Sequence, residues 1–118
     1  MKYKIHQIRL NELERAIVNQ KGHQALTKQI RKLDMEFAEG DVLKKLTHES
    51  LKAGDYDYVA DITANNLDEV FYIGNMDIPR EENAHINDID DMYSVSMGNI
   101  IESDEARYVV ASMGFVKI

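Results

Sequence analysis

The sequence predicts a single α+β domain: an antiparallel sheet that ends in a C-terminal β-hairpin, with two or three helices packed on one side. Three observations lead to this prediction. The chain has 118 residues, and one domain usually has about 100–150. Residues 1–53 show a strand followed by helical patterns, whereas residues 54–118 are rich in strand patterns. No linker or low-complexity segment separates the two parts, so we expect them to share one domain over residues 1–118.

The first predicted elements are a strand over residues 2–9 and the helix that follows it. Tyr3 and Ile5 provide the apolar alternation of a strand. Asn11 is a residue type that favours the N-cap of a helix, and Glu14 stands three positions later. Such a pair forms a capping box, in which each side chain bonds the backbone N–H of the other residue. We therefore expect a helix to start at Asn11.

Two more helices are predicted between Gly22 and Gly54. Gly22 ends the first helix near residue 20 or weakens it, because one glycine costs a helix about 1 kcal/mol. The next helix has a single apolar stripe at helical spacing, formed by Leu26, Ile30, Leu33 and Phe37. Gly40 suits the position after that helix, and Asp41 can cap the next one. The third helix is marked by the apolar residues Val42, Leu43, Leu46 and Leu51, and Gly54 stops it.

Strand patterns and one short helix fill the middle of the chain. Residues 56–62 alternate as a strand. Asn65 or Asn66 then caps a short helix that ends at Gly74. Residues 75–92 contain the only proline and a series of acidic side chains. They are predicted to form a surface loop.

The C-terminal segment is predicted to be a β-hairpin followed by a third strand. Residues 94–101 and 107–111 flank a polar turn at residues 102–105, and residues 113–118 close the chain. The predicted core is formed by apolar residues of all these elements: Ile5, Leu13, Ile17, Leu26, Ile30, Leu33, Phe37, Leu46, Val59, Ile62, Leu67, Val70, Phe71, Ile100, Val109, Val110 and Phe115.

The formal net charge of −7 is unevenly distributed along the chain. Residues 1–53 carry 11 basic and 7 acidic side chains, a net charge of +4. Residues 54–118 carry 3 basic and 14 acidic side chains, a net charge of −11. Such asymmetry bears on association rather than on fold. Either the two parts attract each other, within one domain or across a homodimer, or they face an external partner.

Several function classes are disfavoured by the residues present. The chain has no Cys, which excludes disulfides, thiolate zinc sites and a thiol nucleophile. The four His do not have zinc-site spacing, and the acidic loops lack the calcium-loop pattern. Neither a nucleophile elbow nor a phosphate-binding loop occurs. We therefore expect no catalytic residues, metal or cofactor. Without an apolar run of about 18–20 residues or a secretion signal, we also expect no membrane partner and a cytoplasmic location.

Two surfaces are candidates for a macromolecular partner. The first is acidic and would attract a basic protein surface; it comprises Glu81, Glu82, Asp88, Asp90, Asp91, Glu102, Asp104 and Glu105. The alternative is a nucleic-acid-binding regulator that uses the helices of residues 26–45; its candidate contacts are Lys28, Arg31, Lys32, Lys44 and Lys45. A few such charges are more often a solvated helix face.

The C-terminal half resembles a known group of proteins. The run Ser-Val-Ser-Met-Gly-Asn-Ile-Ile at 94–101, the run Tyr-Val-Val-Ala-Ser at 108–112 and the Gly-Phe pair at 114–115 resemble the end of YodL-like domains. They are also similar to small proteins of phages, plasmids and other mobile elements. The segment Asn-Leu-Asp-Glu-Val-Phe at 66–71 is similar to the helix that precedes that tail. The similarity covers chiefly residues 56–118.

This resemblance implies a genomic context more than an activity. It suggests an accessory protein that binds and modulates a host protein, such as a defence or nucleic-acid-processing protein. The chain departs from the group at Asn99, where the usual residue is Asp. If that Asp performs chemistry in the group, the chemistry is absent here; if it caps a turn, Asn serves equally well.

Overall fold

The computed structural model describes residues 1–118 and contains a six-stranded antiparallel sheet with four α-helices. The strands are β1 (Lys2–Ile8), β2 (Tyr56–Thr63), β3 (Ile86–Asp88), β4 (Ile100–Glu102), β5 (Arg107–Val110) and β6 (Phe115–Lys117). The helices are α1 (Glu12–Lys21), α2 (Thr27–Met35), α3 (Gly40–Ala53) and α4 (Leu67–Gly74), with 3₁₀ turns at His23–Ala25 and Arg80–Glu82. The order in the sheet is β3-β2-β1-β4-β5-β6. The α+β class is confirmed. None of the helices is long and apolar enough to cross a bilayer.

The helices lie on both faces of the sheet, whereas the sequence predicted one. Successive residues of a strand point to opposite faces. Val109 packs in a cluster with Met35 and Leu43 from the α2 and α3 side. The next residue, Val110, packs with Val70 and Ile73 of α4. Two clusters therefore sandwich the sheet.

Each cluster draws on both halves of the chain, because β1 lies at the centre of the sheet between β2 and β4. The larger, on the α4 face, comprises Tyr3, Ile5, Val59, Ala60, Ile62, Ala64, Val70, Ile73, Met92, Val95, Ile101 and Val110. The smaller comprises Ile8, Met35, Ala38, Leu43 and Val109.

The start of α1 is as predicted, but its core residue is not. The backbone N–H of Glu14 donates to Asn11 Oδ1 at 2.8 Å, and that of Asn11 donates to Glu14 Oε1 at 3.0 Å. The helix ends at Lys21, before Gly22. No residue of α1 is buried, and Leu13 is 71% exposed. The core prediction for Leu13 is wrong because α1 lies at the periphery and does not cover the sheet.

The apolar stripe predicted for the second helix is also wrong in part. The buried residues of α2 are Gln29 and Met35. Ile30 is exposed, and Phe37 is 88% exposed because it follows the end of the helix. Helix α2 is shorter than the predicted apolar stripe and faces the sheet with Met35 instead of Phe37. Gly40 does not follow this helix but opens α3, with a φ of +51°.

Two stretches of the second half differ from their predictions. Residues 75–92, predicted to be a loop, contain a 3₁₀ turn and β3, which pairs with β2 through Ile62↔Ile86 and Ala60↔Asp88. Residues 94–99, predicted to be strand, are irregular, and β4 begins only at Ile100. The sequence did not predict β3 because it is an edge strand of three residues, which is too short to show an alternating apolar pattern. The β4–β5 hairpin and β6 are confirmed.

The helix α4 begins as predicted and packs differently. Asn66 is the cap, since its Oδ1 accepts the N–H of Glu69 at 2.8 Å. Val70 and Ile73 are buried against the sheet. Phe71, predicted to be in the core, is 40% exposed because it lies on the flank of α4, about a quarter turn from the buried Val70.

Candidate functional site

The basic and the acidic half of the chain contact each other directly. Five of the six salt bridges join a residue of the first half to one of the second. They are Lys2–Asp61 (3.3 Å), His6–Glu102 (2.9 Å), Arg9–Asp57 (3.4 Å), Arg9–Asp90 (2.6 Å) and Arg31–Asp55 (2.8 Å). The attraction that the charge asymmetry predicts therefore operates within one chain.

These contacts leave most of the acidic half without a basic partner. Of its 14 acidic residues, five take part in the cross-half salt bridges and nine take part in none. The nine are Asp68, Glu69, Asp77, Glu81, Glu82, Asp88, Asp91, Asp104 and Glu105. The three basic residues of this half form no salt bridge either, so its surface carries a net negative charge.

The eight acids of the predicted acidic surface lie at three separate places. Glu81 and Glu82 are in the 3₁₀ turn before β3, and residues 88–91 follow at the other end of that strand. Glu102 is the last residue of β4, and Asp104 and Glu105 lie in the turn between β4 and β5. Strands β2 and β1 separate β3 from β4, a distance of about 14 Å at about 4.8 Å per strand. Two of the eight, Asp90 and Glu102, are already in salt bridges.

The five predicted nucleic-acid contacts are distributed over α2 and α3, and two of them bind carboxylates of the chain itself. Arg31 grips Asp55 with two hydrogen bonds, from Nε at 2.8 Å and from Nη2 at 3.0 Å, and these bonds raise the pKa of its guanidinium. Lys28 Nζ lies 3.1 Å from Glu14 Oε1. Lys32, Lys44 and Lys45 form no salt bridge.

A polar cavity of about 340 Å³ lies at the end of β1, where the halves meet. Arg9 fills part of it and donates to Asp90 Oδ2 at 2.6 Å and to the backbone oxygens of Asp90 and Asp91. Arg15 reaches the hydroxyl of Tyr93 at 3.1 Å. Arg9 pairs with Asp57 and Asp90, and Lys28 pairs with Glu14, so the cavity is a mixed-charge junction between the halves.

One face of the sheet carries a row of paired polar residues. Asn87, Asp61, Lys4, Glu102 and Arg107 are direct neighbours across five strands. Four of them alternate in charge, an arrangement that stabilises cross-strand pairs.

Tyr58 and His6 form the adjacent row on this face. Their rings are 5.5 Å apart, and the ammonium of Lys4 lies 5.6 Å above the ring of Tyr58. The hydroxyl of Tyr58 donates to Asp61, and this hydrogen bond raises the pKa of Tyr58 to about 12. No group of three or more His, Asp or Glu is placed to hold a metal ion here or elsewhere in the chain.

The outer side of α4 combines exposed apolar side chains with acids. Tyr72 is 68% exposed, and Phe71, Met76 and Ile78 are also exposed. Two cavities of about 430 and 180 Å³ flank this side, and Phe71 and Asp68 line both. Neither cavity is lined by a Lys or an Arg. We call these two cavities and the residues that line them the α4 groove.

The sequence contains a signal for the α4 groove that the core prediction missed. Five of the eight residues of α4 are large and apolar, and they extend around more than one side of the helix. Such a helix is either fully buried or exposes an apolar side. Because α4 has the sheet on one side only, Phe71 and Tyr72 remain on the surface.

No family model, curated protein or solved structure matches this chain. The resemblance to YodL-like domains therefore remains a prediction from the sequence, and the geometry described above is what bears on function.

Proposed function

We propose that the protein is a non-enzymatic accessory protein of a phage or another mobile element, which binds and modulates a host protein through its acidic surface. The two parts of this proposal rest on different observations. The mobile-element context and the host partner follow from the resemblance in residues 56–118. The binding of a basic protein surface follows from the charges in the structure.

The main observation behind this proposal is the negative charge of the second half that no salt bridge neutralises. The salt bridges between the halves use five acids and leave nine acids of the second half without one. A negative surface of this kind accelerates encounter with a positive one and disfavours partners of like charge. A basic protein surface is therefore the partner that the field selects, and the basic nucleic-acid sites of host enzymes or defence proteins are of this type.

The alternative, a nucleic-acid-binding regulator, is less well supported. Phosphate contacts require a cluster of free basic side chains. Arg31 and Lys28 are already bound to Asp55 and Glu14. The negative second half would also repel a phosphate backbone.

The test is affinity capture of host proteins with matched charge-reversal variants. Glu81→Lys with Glu82→Lys, and Asp104→Lys with Glu105→Lys, remove acids that form no salt bridge. Glu36→Lys with Glu49→Lys is the control, since it reverses two exposed acids of the first half that form no salt bridge and so raises the net charge by the same four units on another surface. A basic host protein that the wild type and the control capture, and that at least one acidic variant loses, supports the proposal.

The opposite outcomes are also defined. If all charge variants capture the same proteins, or if no basic host protein is captured, the acidic surface is not the binding site. An electrophoretic shift of DNA or RNA at low salt that is lost on removing Lys28, Arg31 and Lys32 would establish the regulator instead.

A further inference from the structure

We infer that the α4 groove is the docking site of a basic amphipathic segment of the partner protein, with an apolar anchor beside Phe71 and basic residues against Asp68 and Asp77. This inference rests on the proposed function, because it names the site at which a basic protein would bind. Asp68 and Asp77 belong to the nine acids without a salt bridge, although not to the eight acids of the predicted acidic surface.

The groove is held in a fixed shape by the elements beneath it. The N-terminus of α4 is capped by Asn66, and its buried side packs on the sheet through Val70 and Ile73. At the other end, Asn75 Nδ2 donates to the backbone oxygens of Phe71 at 2.8 Å and Val95 at 2.9 Å. A preformed groove costs a ligand less ordering free energy than one that must form on binding.

The lining of the groove has the composition of an interface centre. Aromatic residues and Met are enriched at the buried centres of protein interfaces, where a few of them supply most of the binding free energy. Phe71, Tyr72 and Met76 are exposed here and line the larger cavity. On the other side of Phe71, the smaller cavity continues over Val110 and Phe115 of the sheet. An apolar side chain of a partner can therefore contact Phe71 from either side.

The acids select the charge of the occupant. Asp68 lines both cavities and Asp77 lines the larger one, and neither is in a salt bridge. A segment with Lys or Arg beside its apolar anchor would pair with these carboxylates. Nucleic acid and anionic lipid would be repelled by them. A second copy of this chain, docked groove to groove, would also be repelled, because it would place Asp68 and Asp77 against the same two acids of the other copy.

The test measures binding of an amphipathic peptide built from Leu and Lys, labelled for fluorescence polarisation. The controls are a peptide with Glu in place of Lys and a peptide of Lys alone. We expect saturable, salt-sensitive binding of the Leu–Lys peptide only, with amide chemical-shift changes along residues 67–77. Tyr72→Ala should weaken binding at least about tenfold, because a few aromatic side chains supply most of the binding free energy at such a surface. Asp68→Lys with Asp77→Lys should weaken it at least as much.

Two control variants separate the groove from the rest of the surface. Tyr93→Ala removes an exposed tyrosine elsewhere, and Glu81→Lys with Glu82→Lys reverses neighbouring acids outside the groove lining. Tyr93→Ala should leave peptide affinity unchanged, and the Glu81 and Glu82 reversal should lower it less than the reversal of Asp68 and Asp77. An unchanged urea midpoint for Tyr72→Ala confirms that the fold is intact, as the exposure of that side chain predicts.

The outcomes distinguish the groove from the proposed function. Absence of saturable binding at low salt, or equal affinities for wild type and Tyr72→Ala, overturns the groove. If the captured host protein no longer binds the variants with reversed Glu81 and Glu82 or Asp104 and Glu105, but still binds Tyr72→Ala, the groove is not the docking site and the proposed function stands. If the peptide binds at α4 but no basic host protein is captured, the groove stands and the proposed function fails.

Discussion

Gln7 and Asn99 are joined by a hydrogen bond of 3.1 Å from Gln7 Nε2 to Asn99 Oδ1, although 92 positions separate them in the chain. Both side chains are buried. Gln7 also bonds both backbone groups of Tyr93, as acceptor at 2.9 Å and as donor at 2.8 Å. Asn99 Oδ1 accepts a second bond, from the N–H of Ser96 at 3.0 Å. The pair thus fastens the segment from Tyr93 to Asn99 onto the central strand β1.

This network explains the residue at position 99 and leads to a first prediction. Asn99→Ala leaves the N–H groups of Gln7 and Ser96 without their acceptor, and an unsatisfied buried donor costs about 1–3 kcal/mol. We expect the free energy of unfolding in urea to fall by that amount. Asn99→Asp keeps the accepting oxygen and should lose less than half as much. If Asn99→Ala is as stable as the wild type, the network does not hold the segment in place.

We expect the substitution Gly74→Ala to destabilise the fold, although replacing a helical glycine by alanine usually stabilises it. Replacing a glycine inside a helix by Ala normally stabilises it by about 1 kcal/mol. A Cβ at Gly74 would lie 2.3 Å from Val95 Cγ2, so the packing must shift. We expect Gly74→Ala to lower the free energy of unfolding by about 1–3 kcal/mol, the usual cost of overpacking.

Removal of the neighbour tests this explanation. Val95→Ala takes away the methyl group that the new Cβ would meet. In a double-mutant cycle, Gly74→Ala should therefore cost less in the Val95→Ala background than in the wild type. Equal costs in the two backgrounds would show that Val95 is not the obstacle.

The hydrogen bond from Tyr58 to Asp61 predicts that the Tyr58 hydroxyl ionises at a higher pH than an ordinary tyrosine. Asp61 raises the pKa of Tyr58 from its ordinary value near 10 to about 12. The raised pKa means that the folded state favours the neutral phenol, so the stabilisation is complete below pH 10 and is lost as pH rises through 12. Asp61→Asn removes the charge and should return this titration towards pH 10.

The absorbance of phenolate measures this change directly, because the chain has no Trp. Burial raises the pKa of Tyr56, so that residue does not ionise in the range compared. The difference between the titration curves of the wild type and Asp61→Asn should show one phenol moving to lower pH. Superimposable curves would contradict the assigned hydrogen bond.

The clamp between Arg31 and Asp55 predicts a loss of stability that a solvated helix face would not show. The carboxylate of Asp55 is buried and accepts both bonds from Arg31. Arg31→Ala leaves it without them, and hydrogen bonds to charged groups contribute about 1.5–3 kcal/mol. We expect a loss of that size in urea, whereas Lys44→Ala, on the exposed side of α3, should stay within about 0.5 kcal/mol of wild type. Equal effects of the two substitutions would assign Arg31 to the solvated surface.

Features with local causes were accessible from the sequence. The capping box of Asn11 and Glu14, the stop of α3 at Gly54 and the hairpin around residues 102–105 depend on residues within a few positions of each other. The charge asymmetry was equally visible, because it needs only a count. The α4 groove was not predicted, since exposure of Phe71 depends on how much of α4 the sheet covers.

The sequence by itself determined the α+β class, most helix and strand positions, and the division into a basic and an acidic half. Only the tertiary structure decided that helices cover both faces of the sheet, that Met35 rather than Phe37 is buried, and which acids find a basic partner. The physical reason is distance along the chain. Caps and turns are fixed by neighbouring residues, whereas burial and ion pairing depend on contacts such as that of Gln7 with Asn99, which exist only once the sheet has assembled.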